Sequence, residues 1–123
     1  MANPNIAALT TILGNSAHQS LASTSATSLI NNAAASNKVY KVESITLTNI
    51  TTIAVTATVN VYSAASLGGT AVPLISLVPI PAYSTLIIVD KTTTFYLLEN
   101  QSVGVTASSA STVAMHASWE EIS

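Results

Sequence analysis

Val55-Thr56-Ala57-Thr58-Val59-Asn60-Val61-Tyr62 alternates between apolar and polar side chains. Val55, Ala57, Val59 and Val61 share one face, and Thr56, Thr58 and Asn60 share the other. A period of two belongs to an extended strand with one buried face, since a helix would repeat every three to four residues. The same alternation returns at Val103, Val105 and Ala107, and again at Val113, Met115, Ala117 and Trp119. Between Tyr40 and Leu47 the apolar set changes phase: Tyr40 and Val42 are even, Ile45 and Leu47 odd. A β-bulge at Glu43-Ser44 reconciles the two halves. Leu86-Ile87-Ile88-Val89 is apolar on both faces, as expected of a central strand.

Turn-forming residues cut these runs at short intervals. Asn49 to Thr52, Ser66-Leu67-Gly68-Gly69-Thr70, Asp90-Lys91-Thr92 and Glu99-Asn100-Gln101 each separate two runs. Pro79-Ile80-Pro81-Ala82 fixes two φ angles and removes two donors, which marks a loop or the start of an edge strand. No stretch has a helical face. Six or seven short strands at roughly 8–12-residue spacing predict an all-β fold, a single β-sandwich of jelly-roll type. Residues 1–36 read differently from the rest. Ile6, Leu9, Ile12 and Leu13 can form one strand, and Leu21, Leu29 and Ile30 another, around a Ser/Thr/Ala tract. This segment is an N-terminal extended arm that adds strands to a neighbour, or else the first strands of the sandwich. Residues 37–123 form the sandwich core.

Composition bounds the function. The chain has 123 residues, enough for one domain, and is 49% hydrophobic but only 7% charged. Globular domains average roughly 25% charged residues. Ser, Thr, Asn and Ala have taken the place of charge, and a chain with so neutral a surface is expected to cover it with neighbours. Three lysines and no arginine cannot build the basic stripe that phosphates require, so nucleic acid is not an expected partner. The absence of Cys rules out disulfides and thiolate metal sites. Met1-Ala2-Asn3-Pro4-Asn5 lacks the basic start of a secretory signal. The longest dense apolar run, Leu86 to Val89, is far short of the ~20 residues of a spanning helix. The expectation is a product of the cytoplasm with no membrane partner.

Chemistry is sparse. His18 and His116 stand far apart in sequence, and neither has a His or Asp at ligand spacing. Both read as structural or solvated residues, with Glu120 within reach of His116 along one strand face. Glu120 and Glu121 are adjacent, so they point to opposite faces and cannot act as an acid–base pair. No Gly-x-Ser-x-Gly elbow is present, and Gly68-Gly69 lacks the Lys and helix of a phosphate loop. The expected catalytic, cofactor and metal sites are therefore none, and the chain is expected not to be an enzyme. Trp119 is in phase with Met115 and Ala117 and belongs to the core. Tyr40, Tyr62, Tyr83, Phe95 and Tyr96 are scattered, which suits interface anchors better than a sugar-stacking platform.

Several stretches resemble a family of small virion structural proteins of tailed phages, including phages of cyanobacteria. They are Lys38-Val39-Tyr40-Lys41-Val42-Glu43-Ser44-Ile45, then Pro81 to Lys91, Phe95 to Asn100, Ser102 to Ser108, and the closing Ser118-Trp119-Glu120-Glu121-Ile122-Ser123. These stretches are distributed over about two thirds of the chain, from Lys38 to the end. Two features depart from the pattern: Thr51-Thr52 stands where a Gly-containing turn is expected, and the closing aromatic is Trp119 rather than Tyr. The resemblance implies a capsid cement or decoration protein on the capsid exterior of the virion, clamping neighbouring capsomers. Its partners would be the major capsid protein and copies of itself, as a homotrimer. The alternatives are a neck or tail subunit, a host-surface or glycan-binding module, and a surface-layer or pilus-like subunit.

Overall fold

The structure is a computed structural model and describes residues 6–8 and 10–123. Leu9 and the opening Met1 to Asn5, with Pro4, lie outside the described residues. After a 3-10 turn at Ile6–Ala8, nine strands follow among the described residues. They are β1 (Ile12–Ser20), β2 (Thr27–Asn32), β3 (Val39–Asn49), β4 (Val55–Ala64) and β5 (Gly68–Ile80). The chain continues with β6 (Thr85–Val89), β7 (Phe95–Leu97), β8 (Gln101–Ala107) and β9 (Val113–Ile122).

Every pairing is antiparallel, and the pairs nest. β1 pairs with β9 in the first sheet and β2 with β8 in the second. β3 then pairs with β6 and β7 in the first, and β4 with β5 in the second. The first sheet runs β1-β9-β3-β6, with β7 beside the start of β3, and the second runs β2-β8-β4-β5. Nested pairs that alternate between two facing sheets define a jelly roll. The fold is an all-β sandwich, as the alternating runs require.

The inward residues are those the period picks out. Val42, Ile45 and Leu47 of β3 meet Met115, Ala117 and Trp119 of β9 on one inner face. Ala57, Val59 and Val61 meet Ala107, Val105 and Val103 on the other. Trp119 is buried and stacks on Tyr40 with ring centroids 6.0 Å apart. The register of β3 on β9 shifts between Val42 and Ser44, where the phase change demands a bulge. Gly104 lies on the outer side of the second sheet beneath Leu67 and Tyr62. A Cβ there would stand 2.7 Å from Leu67 Cδ2, so glycine lets the β4–β5 turn fold down onto the sheet.

One expectation changes. Leu86 to Val89 is not central: β6 pairs only with β3 and leaves Ile87 exposed at the side of the sheet. Leu86 and Ile88 pack on the core, while Ile87 points to the outer side, which a two-layer sandwich leaves without a covering layer. Within residues 1–36, Leu21, Leu29 and Ile30 are core residues, and Ile12–Ser20 and Thr27–Asn32 pair with strands of the same chain.

Two buried asparagines fasten the sheets together at opposite ends. Asn32, at the end of β2, donates from Nδ2 to Lys38 O at 2.9 Å and to Leu97 O of the first sheet at 3.2 Å. Asn49, at the end of β3, donates to Ile53 O at 2.8 Å and to Ile80 O of the second sheet at 3.0 Å. Buried amides with their donors satisfied add orientation as well as stability.

Candidate functional site

Register places every charged residue at one end of the sandwich. β3 climbs from Val39 to Asn49 while β9 descends from Val113 to Ile122. Lys38 immediately precedes β3, Lys41 and Glu43 occupy its lower half, and Glu120 and Glu121 sit opposite Lys41 and Tyr40. Asp90 and Lys91 follow Val89, which pairs with Ile45, and precede Phe95, which pairs with Val42. Glu99 accepts a hydrogen bond from Asn37 N–H at 2.6 Å at the same end. None of the eight charges lies above the level of Ile45. The whole second sheet carries none.

The lower end is a small polar network. Lys38 Nζ lies 3.0 Å from Glu121 Oε1, and Asn15 Nδ2 donates to Glu121 Oε2 at 2.6 Å. Burial pushes the Glu121 carboxyl up, but the hydrogen bonds from Asn15 and Lys38 outweigh it and hold the group below the usual range. The hydrogen bond to Glu121 raises Lys38 in turn. On the other face of β9, a hydrogen bond shared with Glu43 raises Glu120 above its ordinary value. The two glutamates therefore act in different pH windows. Glu121 contributes stability that is lost as the pH falls below about 4.5, while Glu120 costs stability as the pH rises above that value. Glu120→Gln is expected to make the change in Tm from pH 4 to pH 7 more favourable than in the parent, since the cost sets in as the pH rises past about 4.5. Calorimetric scans at the two pH values test this, and an unchanged slope would sink it.

The upper end is a rim of four uncharged loops stitched by backbone hydrogen bonds. Tyr83 N–H donates to Thr51 O at 3.2 Å and Ile50 N–H to Thr112 O at 2.9 Å. Ser111 N–H donates to Leu21 O at 2.9 Å. Ile53 (73% exposed), Tyr83 (69%) and Ile50 (50%) project from this rim. Exposed apolar residues occur at the lower end too, at Ile12, Leu13 and Tyr96. The two ends differ in charge rather than in apolar exposure.

The sheet edges also differ. β5 leaves Val72, Leu74 and Leu77 exposed, but it carries Pro73 and Pro79 and its register on β4 shifts three times. Proline and bulges are the usual guards against strand addition. β1 has neither: its nine residues pair with β9 without a register shift, and they include no proline and no charged residue. Among the described residues no strand pairs with its outer edge, which is a template for another strand.

The predicted site residues fall out as follows. Glu120 and Glu121 do point to opposite faces. His116 meets not Glu120 but His18, its direct partner in register, with the two Nδ1 atoms 2.9 Å apart. Sequence separation hid that contact, because β1 and β9 are brought together only by the outermost pair of the roll. A shallow cleft of about 290 Å³ beside the β4–β5 hairpin is lined by Val61, Tyr62, Ser63, Thr70, Val72 and Gln101. It holds no carboxylate, imidazole or amine. Among the described residues no group of three or more His, Cys, Asp or Glu could hold a metal ion.

No protein family model matches the chain, and no curated protein matches it. Among solved structures it is similar to a chain of the Bacillus endospore appendages, described as "a novel family of disulfide-linked pili". The two superpose with a TM-score of 0.55 over 98% of this chain and 95% of that one, at 16% sequence identity. Similarity at this level establishes a shared sandwich fold.

Proposed function

We propose that this chain is a non-enzymatic structural subunit built into a repetitive assembly, specifically a cement or decoration protein on the exterior of a phage capsid. Its partners in this reading are the major capsid protein and copies of itself, as a homotrimer. The observation that carries the proposal is the confinement of all charge to one end. A free monomer gains solubility from charge on every side, whereas a clamped subunit needs it only where it faces water. The uncharged rim and second sheet are surfaces whose desolvation costs little, and the unguarded β1 edge offers backbone pairing in addition. A clamp over the seams of a shell multiplies weak contacts into a strong total.

A second reading, a subunit of a pilus-like filament, is favoured by the likeness to the endospore appendage chain. This chain has no Cys, so a filament built from it would lack disulfide links. Electron microscopy of the purified chain, with antibody labelling of purified phage particles, separates the two. Label over the capsid surface at regular lattice positions supports the clamp. Self-assembled filaments with no capsid label would overturn it in favour of the second reading.

A further inference from the structure

We propose that His18 and His116 form a two-imidazole site for one divalent transition-metal ion of the copper, nickel or zinc type, on the outer face of the β1–β9 pair. The two residues are direct cross-strand partners in an unbroken ladder from Ile12↔Ile122 to Ser20↔Ala114. Their rings stand 5.2 Å apart between centroids, tilted by 54°, with Nδ1 2.9 Å from Nδ1. In that contact one Nδ1 carries a hydrogen and the other a lone pair. Moving the hydrogen to the far nitrogen, Nε2, leaves two lone pairs facing the gap, and a rotation of either exposed ring aims both at one point above the sheet.

The spacing fits such an ion. Imidazole nitrogens bind at roughly 2.0–2.1 Å, so two bonds at a right angle place the nitrogens about 2.9 Å apart. That is the cis arrangement of a tetragonal Cu(II) or Ni(II) centre. A tetrahedral Zn(II) angle needs about 3.3 Å, an opening of about 0.4 Å that ring rotation supplies. The same face carries the pairs Ser16↔Ser118 and Ser20↔Ala114 on either side, and Thr46 of β3 beside His116. No lysine stands in these positions to repel a cation and no carboxylate stands there to complete its shell. Water supplies the remaining ligands. The ion would also tie β1, the edge strand, to β9.

Titration of the purified chain with Cu(II) chloride in a non-coordinating buffer tests the site. Calorimetry is expected to show one ion per chain, and electron paramagnetic resonance to show splitting from two imidazole nitrogens. His18→Gln and His116→Gln should each weaken binding at least tenfold and leave one nitrogen, and the double substitution should abolish it. NMR on the unmodified chain provides an independent reading: Cu(II) should broaden both imidazole rings before any other resonance. Full binding by the double variant, a spectrum with one nitrogen in the unmodified chain, or no binding at all would each overturn the proposal. The last outcome would leave the pair as a cross-strand hydrogen bond and nothing more.

Discussion

Replacing Asn49 with alanine is expected to destabilise the sandwich by about 3 kcal/mol and to lower Tm by roughly 10 °C or more. The side chain is fully buried. Besides its two donor bonds to Ile53 O and Ile80 O, its Oδ1 accepts from Thr51 N–H at 2.9 Å and Thr51 Oγ1 at 2.7 Å. Alanine removes all four bonds and leaves the carbonyls of Ile53 and Ile80 without that partner. An unpaired buried polar group costs roughly 1–3 kcal/mol, which is more than the bond itself contributed. The Ile80 bond also crosses from the first sheet to the second, so its loss loosens one end of the roll. Asn49→Asp keeps the acceptor but replaces two donors with a charge, and it should cost at least as much. Asn60→Ala, on the outer face of β4, is the control and should change stability little. Urea and thermal melts of the three variants decide the matter, and an Asn49→Ala variant within 1 kcal/mol of the parent would remove the bridge from the account.

The strands and the core were legible because burial imposes a period of two on anything that forms one face of a sheet. The run from Val55 and the run from Val113 each present one buried face, and even the bulge at Glu43-Ser44 showed as a change of phase. Pairing was not legible. Which strands meet depends on loop closures tens of residues long, and no local pattern records that β1 will lie on β9. The His18–His116 contact was hidden for that reason. The reading of Leu86 to Val89 failed for a related one: an apolar run shows which faces could be buried, not that a strand or layer lies against them. Asn49 was legible as a turn residue but not as a buried bridge, because a side-chain amide serves either role and only the closure of the roll chooses. The polarity of the molecule was present in the sequence as an absence, since no charge occurs from Ser44 to Val89. Its meaning required the register that gathers Lys38, Asp90, Glu99 and Glu121 at one end.

That polarity leads to the prediction with the greatest consequence for assembly. Ile53→Lys combined with Tyr83→Lys should leave the isolated chain folded with an unchanged Tm, because both side chains project from the upper rim into solvent. Surface substitutions of this kind usually shift stability by less than about 0.5 kcal/mol. Incorporation into the assembly should fall at least a hundredfold. An unpaired ammonium carried into a dry contact costs several kcal/mol, and the rim offers no carboxylate to receive it. Lys91→Ala, at the charged end, should leave incorporation unchanged, since that end faces water in the proposed orientation. The reciprocal pair, Ile12→Lys with Tyr96→Lys, places the same two charges beside the same exposed apolar chemistry at the lower end. Binding of each variant to particles stripped of the subunit, measured by co-sedimentation, distinguishes the two ends. Sedimentation velocity on the free variants shows whether the proposed homotrimer forms and depends on the same rim. Loss of binding in the upper pair alone supports the orientation. If the lower pair alone blocks binding, the charged network around Glu121 is the contact surface, and charge pairing rather than cheap desolvation drives assembly. If neither does, the contacts lie on the sides of the sandwich, away from both pairs of lysines and from the start of β1 at Ile12.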